Sequence, residues 1–456
     1  MFHIPEHLIS KYGVIGPRYT SYPTAPLWQD IDLNTQKQWH QLACESQRPL
    51  SIYIHIPFCR ERCYYCGCNV YVTKQQSQSA QYVSFLLKEL ESIQDLQNGN
   101  RKIRQLHFGG GTPNFLLNEE FELIFDKIKA IFPFEDNAEI AIEVNPGTIT
   151  TDQLDYMGKL GINRLSLGVQ DFNPKVQKAI NRIQTPEITQ KVLDHARQIG
   201  FKGINFDLIY GLPFQTAESF EKTINRVIQM NPDRLAIYNF GYLPERMPHQ
   251  RNIDPDTLPN EKTKLSIFLN TIQSLTENGY NYIGMDHFAK PDDELSIAQK
   301  NRTLYRNFMG YTAKSGVDLV GIGVTSISEH DQFFLQNEKK LKAYKNLIDL
   351  SGFAGNRGIK LSRDDQIRKW TILRIICHFF VSFDEFEKAF NVPFKEYFVK
   401  ELKDLEDLKT DGLLNIFDTH IEVIDHGKIL VRNICMVFDA YLKKENVPKI
   451  RYSKTI

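Results

Sequence analysis

From residue 50 to about 285 the sequence repeats one unit: a short β-rich run, a turn, then a stretch of helical periodicity. The β-rich runs are Ser51–Ile56, Ile103–Phe108, Glu139–Val144, Arg164–Leu167, Ile204–Ile209 and Arg234–Tyr238, with a weaker candidate at Tyr282–Met285. Between them, segments such as Gln81–Gln97, Glu119–Phe132 and Glu187–Ile199 space their apolar residues as helices do. Strands alternating with helices at this spacing call for parallel pairing with crossover helices. Six or so units favour an α/β fold closed into a full or partial TIM-like barrel over an open sheet. With 42% hydrophobic and 24% charged residues, the 456-residue chain can bury such a core.

The residues that follow each run carry the chemistry. The first leads into Pro57 and a cluster of cysteines, the second into Gly109-Gly110-Gly111-Thr112-Pro113. The third ends in Glu143-Val144-Asn145-Pro146, and the fourth leads to Gly168-Val169-Gln170-Asp171. The fifth carries Asp207 and runs into Tyr210-Gly211-Leu212-Pro213; the sixth runs into Asn239-Phe240-Gly241-Tyr242. Such residues also mark ordinary turns. In a parallel barrel, however, the carboxyl ends of the strands form the rim where active sites are built, and the cysteines share that rim.

Of seven cysteines, four lie between Cys59 and Cys68. An odd number without an apolar leader argues against a disulfide framework, and the crowding argues for metal. Cys44, Cys377 and Cys435 stand apart and read as buried apolar packing. Cys59, Cys63 and Cys66 form C-x-x-x-C-x-x-C, so one loop can wrap three thiolates around three corners of an iron–sulfur cube. Three ligands leave one iron open, where S-adenosylmethionine (SAM) can chelate through its amino and carboxylate groups. One electron then breaks the S–C bond and leaves a 5′-deoxyadenosyl radical. Cys68 leaves an alternative open, since it could cap the fourth corner. A structural zinc site is the other alternative, although no second knuckle lies nearby. Gly109–Gly111 let backbone approach a ligand closely. Glu143 and Asp207 offer carboxylates for ribose hydroxyls or an ammonium.

Beyond about residue 300 the grammar changes. Residues 301–321 read as an aromatic loop, Asp364–Phe380 and Phe383–Asp411 as amphipathic helices, Gly412–Glu422 with Lys428–Val431 as a hairpin, and 433–444 as a last helix. The expected division is an arm or lid at 1–45, a barrel at 46–300 and a mostly helical carboxyl-terminal domain at 301–456. The arm holds Gly16-Pro17-Arg18-Tyr19-Thr20-Ser21-Tyr22-Pro23, whose Arg18 could meet an anionic substrate. Lys+Arg and Asp+Glu each number 55, so no global basic field points to nucleic acid. No apolar run approaches the ~20 residues of a membrane span. A cytoplasmic monomer is the expectation.

These motifs resemble the oxygen-independent coproporphyrinogen III oxidases, a radical SAM family of heme biosynthesis. The resemblance is carried by Gly16–Pro23, the cluster with its extra Cys68, Gly109–Pro113, Gly168-Val169-Gln170-Asp171-Phe172, Asp207–Pro213, Gly284-Met285-Asp286-His287-Phe288 and Arg432-Asn433-Ile434-Cys435-Met436. It implies a partial (β/α)6 barrel, a [4Fe–4S] cluster on Cys59, Cys63 and Cys66, and Cys68 as a non-ligand. It implies two SAM molecules, one at Tyr53, Tyr65, Gly110, Glu143 and Ile327, the other at Gly111, Thr112, Gln170, Arg182, Asp207 and Gly241. The implied reaction converts two propionates of coproporphyrinogen III to vinyl groups, giving protoporphyrinogen IX, with an unidentified electron donor and acceptor. Arg18, Phe308 and Met309 are then candidates near the substrate. The family usually has Gln where Met309 stands and Ala where Gly241 stands. A heme-binding trafficking relative shares the barrel but lacks the Gly16–Pro23 stretch and Cys68. A radical SAM enzyme acting on another substrate is a further alternative.

Overall fold

The computed structural model describes residues 4–97, 100–443 and 452–455. They fall into two compact units, Gln29–Ser274 with Gly316–Ile359, and the described residues of Met1–Trp28, Leu275–Ser315 and Lys360–Ile456.

The first unit is built on six parallel strands in sequence order: β1 (Leu50–Ile56), β2 (Ile103–Gly110), β3 (Phe134–Val144), β4 (Arg164–Gln170), β5 (Gly203–Tyr210) and β6 (Arg234–Asn239). Crossover helices include α1 (Ser77–Ser92), α2 (Asn118–Ile131), α3 (Thr151–Leu160), α4 (Pro186–Gln198) and α5 (Ala217–Met230). Local chemistry starts and stops them. Thr150 Oγ1 accepts from Gln153 N at 3.2 Å, and Gly161 takes φ +101 at the end of α3. The α2 face of Phe121, Ile124, Phe125 and Ile128 is fully buried. Its Phe121 and Phe125 rings lie 5.5 and 5.6 Å from Phe108 of β2. Burying each such ring contributes about 1.5–3 kcal/mol.

The other edge of β1 is taken by β7 (Asp318–Ile322), again parallel, followed by antiparallel β8 (Ile327–His330) and β9 (Phe333–Asn337). This corrects the reading of 301–321 as loop, since β7 is a short apolar run flanked by glycines, stabilised by a partner some 270 residues earlier. Residues 316–359 therefore cluster with the barrel strands, across the division expected at 300.

The second unit is mostly helical. Arg363–His378 starts on a Ser362 cap, and Phe383–Phe390, Phe394–Tyr397, Val399–Asp404 and Glu406–Thr410 follow as separate short helices. The hairpin is Leu414–Ile416 with His420–Val423, joined by Phe380–Ser382 as a third strand. Lys428–Val431 is not a strand. The backbone there turns through His426–Ile429 into the helix Val431–Val437. Of the last helix expected at 433–444, that is the helical part, and residue 444 lies outside the described residues. The arm is ordered by long-range pairing: Ile15–Gly16 pairs with Ser453–Lys454, and Arg432 donates to the carbonyls of Pro17 (2.8 Å), Lys454 (2.7 Å) and Gly16. Among the described residues no helix is long and apolar enough to cross a membrane.

Candidate active site

Period-two alternation sends Leu50, Ile52, Ile54 and Ile56 of β1 outward under the helices, where all are fully buried. Tyr53 and His55 face the opposite way. In register across the sheet stand Tyr53 opposite His107, Glu143 opposite Ser166, and Ser166 opposite Asn205. The polar residues read at the strand ends therefore meet on one interior surface.

The cysteine loop leaves β1 and is tied down at many points. Phe58–Cys59 pairs with Tyr71–Val72. Gly111 N donates to Ile56 O at 2.8 Å and Thr112 N to Phe58 O at 2.9 Å. The Gly run is therefore first a packing device. A Cβ on Gly111 would lie 2.8 Å from Phe58 O, one on Gly109 2.8 Å from Glu143 Oε1, and one on Gly110 (φ +115) 2.5 Å from the His55 ring. Three contacts that sequence reasoning missed hold the far side: Asn181 Nδ2 donates to Arg62 O (3.0 Å), His249 Nε2 to Cys66 O (2.7 Å), and Gln250 Nε2 to Tyr65 O (3.4 Å). They join segments too far apart in the chain for any local pattern to reveal.

All seven cysteines are free thiols; Cys59, Cys63 and Cys66 are half-buried and Cys68 is exposed. Thr112 Oγ1 lies 3.3 Å from Cys59 Sγ. Arg182 Nη1 reaches Cys63 Sγ at 3.9 Å while its Nη2 donates to Gly168 O at 2.8 Å. Burial pushes the Cys59 thiol up to about 11. The Cys68 thiol donates to Cys66 and, against burial, holds Cys66 down to about 6. Among the described residues no three His, Cys, Asp or Glu side chains are placed to hold a single metal ion. The thiols, their cationic neighbour Arg182 and the glycine backbone beside them fit a polythiolate cluster, which needs compensating charge and close backbone approach.

The two carboxylates differ. Glu143 accepts from Gly110 N at 3.1 Å and lies 3.2 Å from His107 Nε2. Burial opposes its charge, but the His107 hydrogen bond leads a set of favourable contacts that hold its carboxyl below the usual range. Asp207 accepts from Ser166 Oγ (2.8 Å) and Asn205 Nδ2 (2.9 Å). Burial, reinforced by the Glu143 charge, pushes its carboxyl up to about 6. Tyr53 stacks on His107 at 5.8 Å, and its hydroxyl lies 3.1 Å from His55 Nδ1. Gln170 ends β4 at φ +67, and its Nε2 is 2.8 Å from where a Gly168 Cβ would stand. Ile327 packs on Gly321, the β7 partner of Tyr53. Tyr65 O lies 3.4 Å from Gln250 Nε2. The site residues read from the barrel segments thus belong to one unit. Arg18, Phe308 and Met309 belong to the other. There Arg18 pairs with Asp286, the Phe308 ring meets Trp28 edge-on at 5.4 Å, and Met309 N donates to Asn307 Oδ1 at 2.9 Å.

The Radical SAM superfamily pattern matches residues 53–227, and the HemN C-terminal domain pattern matches 361–430. The chain is 47% identical to the oxygen-independent coproporphyrinogen III oxidase of Salmonella typhimurium, covering 96% of this chain and 95% of that protein. It is 46% identical to the protein of the same description from Escherichia coli, with the same coverage. The solved structure described as coproporphyrinogen III oxidase (HemN) from Escherichia coli, a radical SAM enzyme, superposes with a TM-score of 0.92 over 96% of this chain and 99% of that one, at 44% identity. Fold, cysteine loop and full-length similarity agree: the chain belongs to the oxygen-independent coproporphyrinogen III oxidases, radical SAM enzymes built on a [4Fe–4S] cluster and SAM.

Proposed function

We propose that this chain converts two propionate side chains of coproporphyrinogen III to vinyl groups, giving protoporphyrinogen IX in anaerobic heme biosynthesis. The observation that carries the reading is a three-thiol loop laid on the Gly109–Gly111 backbone beside Glu143, at the carboxyl ends of parallel strands. Cys59, Cys63 and Cys66 would hold the cluster, with Cys68 outside the ligand set. When bound, the cluster supplies the electron that cleaves SAM into the hydrogen-abstracting radical.

The protein's own part is binding and orientation. Glu143, held ionised, accepts from a SAM ammonium or ribose hydroxyl, while Tyr53, Tyr65, Gly110 and Ile327 complete the first SAM site. Asp207, with two donors already attached and lone pairs to spare, serves a second SAM together with Gly111, Thr112, Gln170, Arg182 and Gly241. Arg182 offsets thiolate charge at Cys63. A substrate carboxylate at Arg18 has to share that guanidinium with Asp286. Phe308 and Met309, at the tip of the Tyr305–Thr312 hairpin, are the remaining substrate candidates. We read the protein as a cytoplasmic monomer that draws on an unidentified electron donor and acceptor.

The test is one anaerobic turnover with coproporphyrinogen III, SAM and a reductant, read by mass. Loss of two carboxyl groups per porphyrinogen, with 5′-deoxyadenosine formed, supports the reading. Deoxyadenosine without decarboxylation assigns the chemistry to another substrate. Stable heme capture without turnover assigns the chain to trafficking.

A further inference from the structure

The second unit holds a buried cation whose hydrogen bonds are not filled. Arg306 lies in the hairpin Tyr305–Asn307/Gly310–Thr312, opposite Tyr311. Its guanidinium carbon is 4.7 Å from the Tyr311 ring centroid. That ring is fixed on two sides, since its hydroxyl donates to Ile376 O at 2.9 Å and His287 meets it edge-on at 5.1 Å. Arg306 is 4% exposed, yet its Nε and Nη1 have no hydrogen-bond partner among the described residues. Leaving charged N–H groups dry and unpaired is costly, so such a group persists where a ligand fills it.

The neighbouring charges point to the sign of that ligand. Arg18 and Arg306 both bear on Arg432 within this unit, and Asp286 is the carboxylate that opposes them there. Asp286 pairs with Arg18, and backbone carbonyls occupy Arg432. Arg306 is left with positive charge and free donors, rigidly presented on an aromatic face. A planar carboxylate matches this, because a guanidinium offers it charge-assisted hydrogen bonds in a fixed geometry that lysine cannot reproduce.

We propose that Arg306 is a carboxylate-binding residue that takes a propionate side chain of the tetrapyrrole. The identity of the carboxylate rests on the reaction proposed above; the anion site itself does not. Arg306 is a binding residue here, distinct from the hydrogen-abstraction chemistry.

The test titrates cluster-loaded protein, under anaerobic conditions, with coproporphyrin III and with its tetramethyl ester, followed by porphyrin fluorescence. Wild type, Arg306→Gln and Arg306→Lys are compared. The Gln variant is expected to bind the tetra-acid about 10-fold or more weakly, equivalent to about 1.4 kcal/mol. Its affinity for the ester should be unchanged, its KM for coproporphyrinogen III should rise in parallel, and its SAM cleavage without porphyrinogen should stay at the wild-type level. Equal loss of acid and ester binding, or no loss of either, overturns the site. Should Arg306→Gln not fold, the Lys variant carries the test: a reduced preference for acid over ester supports the site and an unaltered preference overturns it. Failure of wild type to decarboxylate coproporphyrinogen III counts against the proposed function, whereas wild-type turnover with an unmoved KM in the variants counts against Arg306 alone.

Discussion

The two ends of the barrel interior are lined by the same strands, one polar residue in every two, and behave differently. At the amino-terminal end the polar groups answer one another in a single row. Ser51 Oγ donates to Gln105 Oε1 (2.8 Å), Gln105 Nε2 donates to Glu139 Oε1 (2.7 Å), and Arg164 Nε pairs with Glu139 Oε2 (2.8 Å). Gly203, next in the row, has no room for a Cβ, which would fall 2.0 Å from Arg164 Nη1. All four side chains of the row are buried or nearly so. At the carboxyl end, by contrast, the carboxylates of Glu143 and Asp207 are pulled in opposite directions, one held ionised and the other pushed up to about 6. One end is a plug whose charges are spent internally. The other keeps acceptors in reserve beside the thiols, which is what a ligand site requires.

That contrast can be broken by substitution. The largest effect belongs to the thiols: serine at Cys59, Cys63 or Cys66 should reduce SAM cleavage to background, measured as 5′-deoxyadenosine released by the reduced protein. Next, Glu139→Ala strands the buried Arg164 and should cost about 3–5 kcal/mol in chemical denaturation, while the folded protein binds SAM as before. Glu143→Gln should do the reverse, weakening SAM binding about 10-fold or more through the loss of a charged hydrogen bond, with a stability change below about 1 kcal/mol. Equal effects of the two substitutions on SAM affinity would erase the distinction between plug and site.

A smaller effect follows from pH. Folding raises the Asp207 carboxyl from 3.8 to about 6, so the protonated group favours the fold. That contribution is complete below 3.8 and is lost as pH rises through about 6. Cofactor-free wild type should lose on the order of 1–2 kcal/mol across this window relative to Asp207→Asn, after allowance for partial solvation. Parallel stability curves for the two proteins would contradict it. The smallest effect is at Gly241, around which a Cβ meets nothing within 4 Å. Gly241→Ala should shift stability by no more than about 0.5 kcal/mol and leave SAM affinity as it is, by isothermal titration.

Much of this was legible in the chain because it is local. The i, i+2 pattern of Ser51, Tyr53 and His55 against Leu50, Ile52, Ile54 and Ile56 announces a strand with one polar face. The cysteine spacing announces a cluster loop. The same alternation could have found His107, Ser166 and Asn205, since each stands two residues from a singled-out or inward-facing neighbour. What stayed hidden depends on partners distant in sequence. β7 is too short to declare itself without β1. His249 and Asn181 reach the cysteine loop from 183 and 119 residues away. Arg18 finds Asp286 across 268 residues, and the unfilled donors of Arg306 become visible only once everything around them has been placed. At Lys428–Val431 the apolar and β-branched residues suggested a strand, and packing in the second unit made a helix of them.

The central claim is that three thiols grip the cluster and leave its fourth corner to SAM, with Cys68 beside it and uncommitted. Electron paramagnetic resonance of the anaerobically reduced cluster tests this most directly, with and without SAM, in wild type and in Cys68→Ser. The account predicts a reduced-cluster signal that changes on adding SAM, and the same change in both proteins. A wild-type signal indifferent to SAM, with a response gained only when Cys68 is removed, would place a fourth thiolate on the cluster and contradict it.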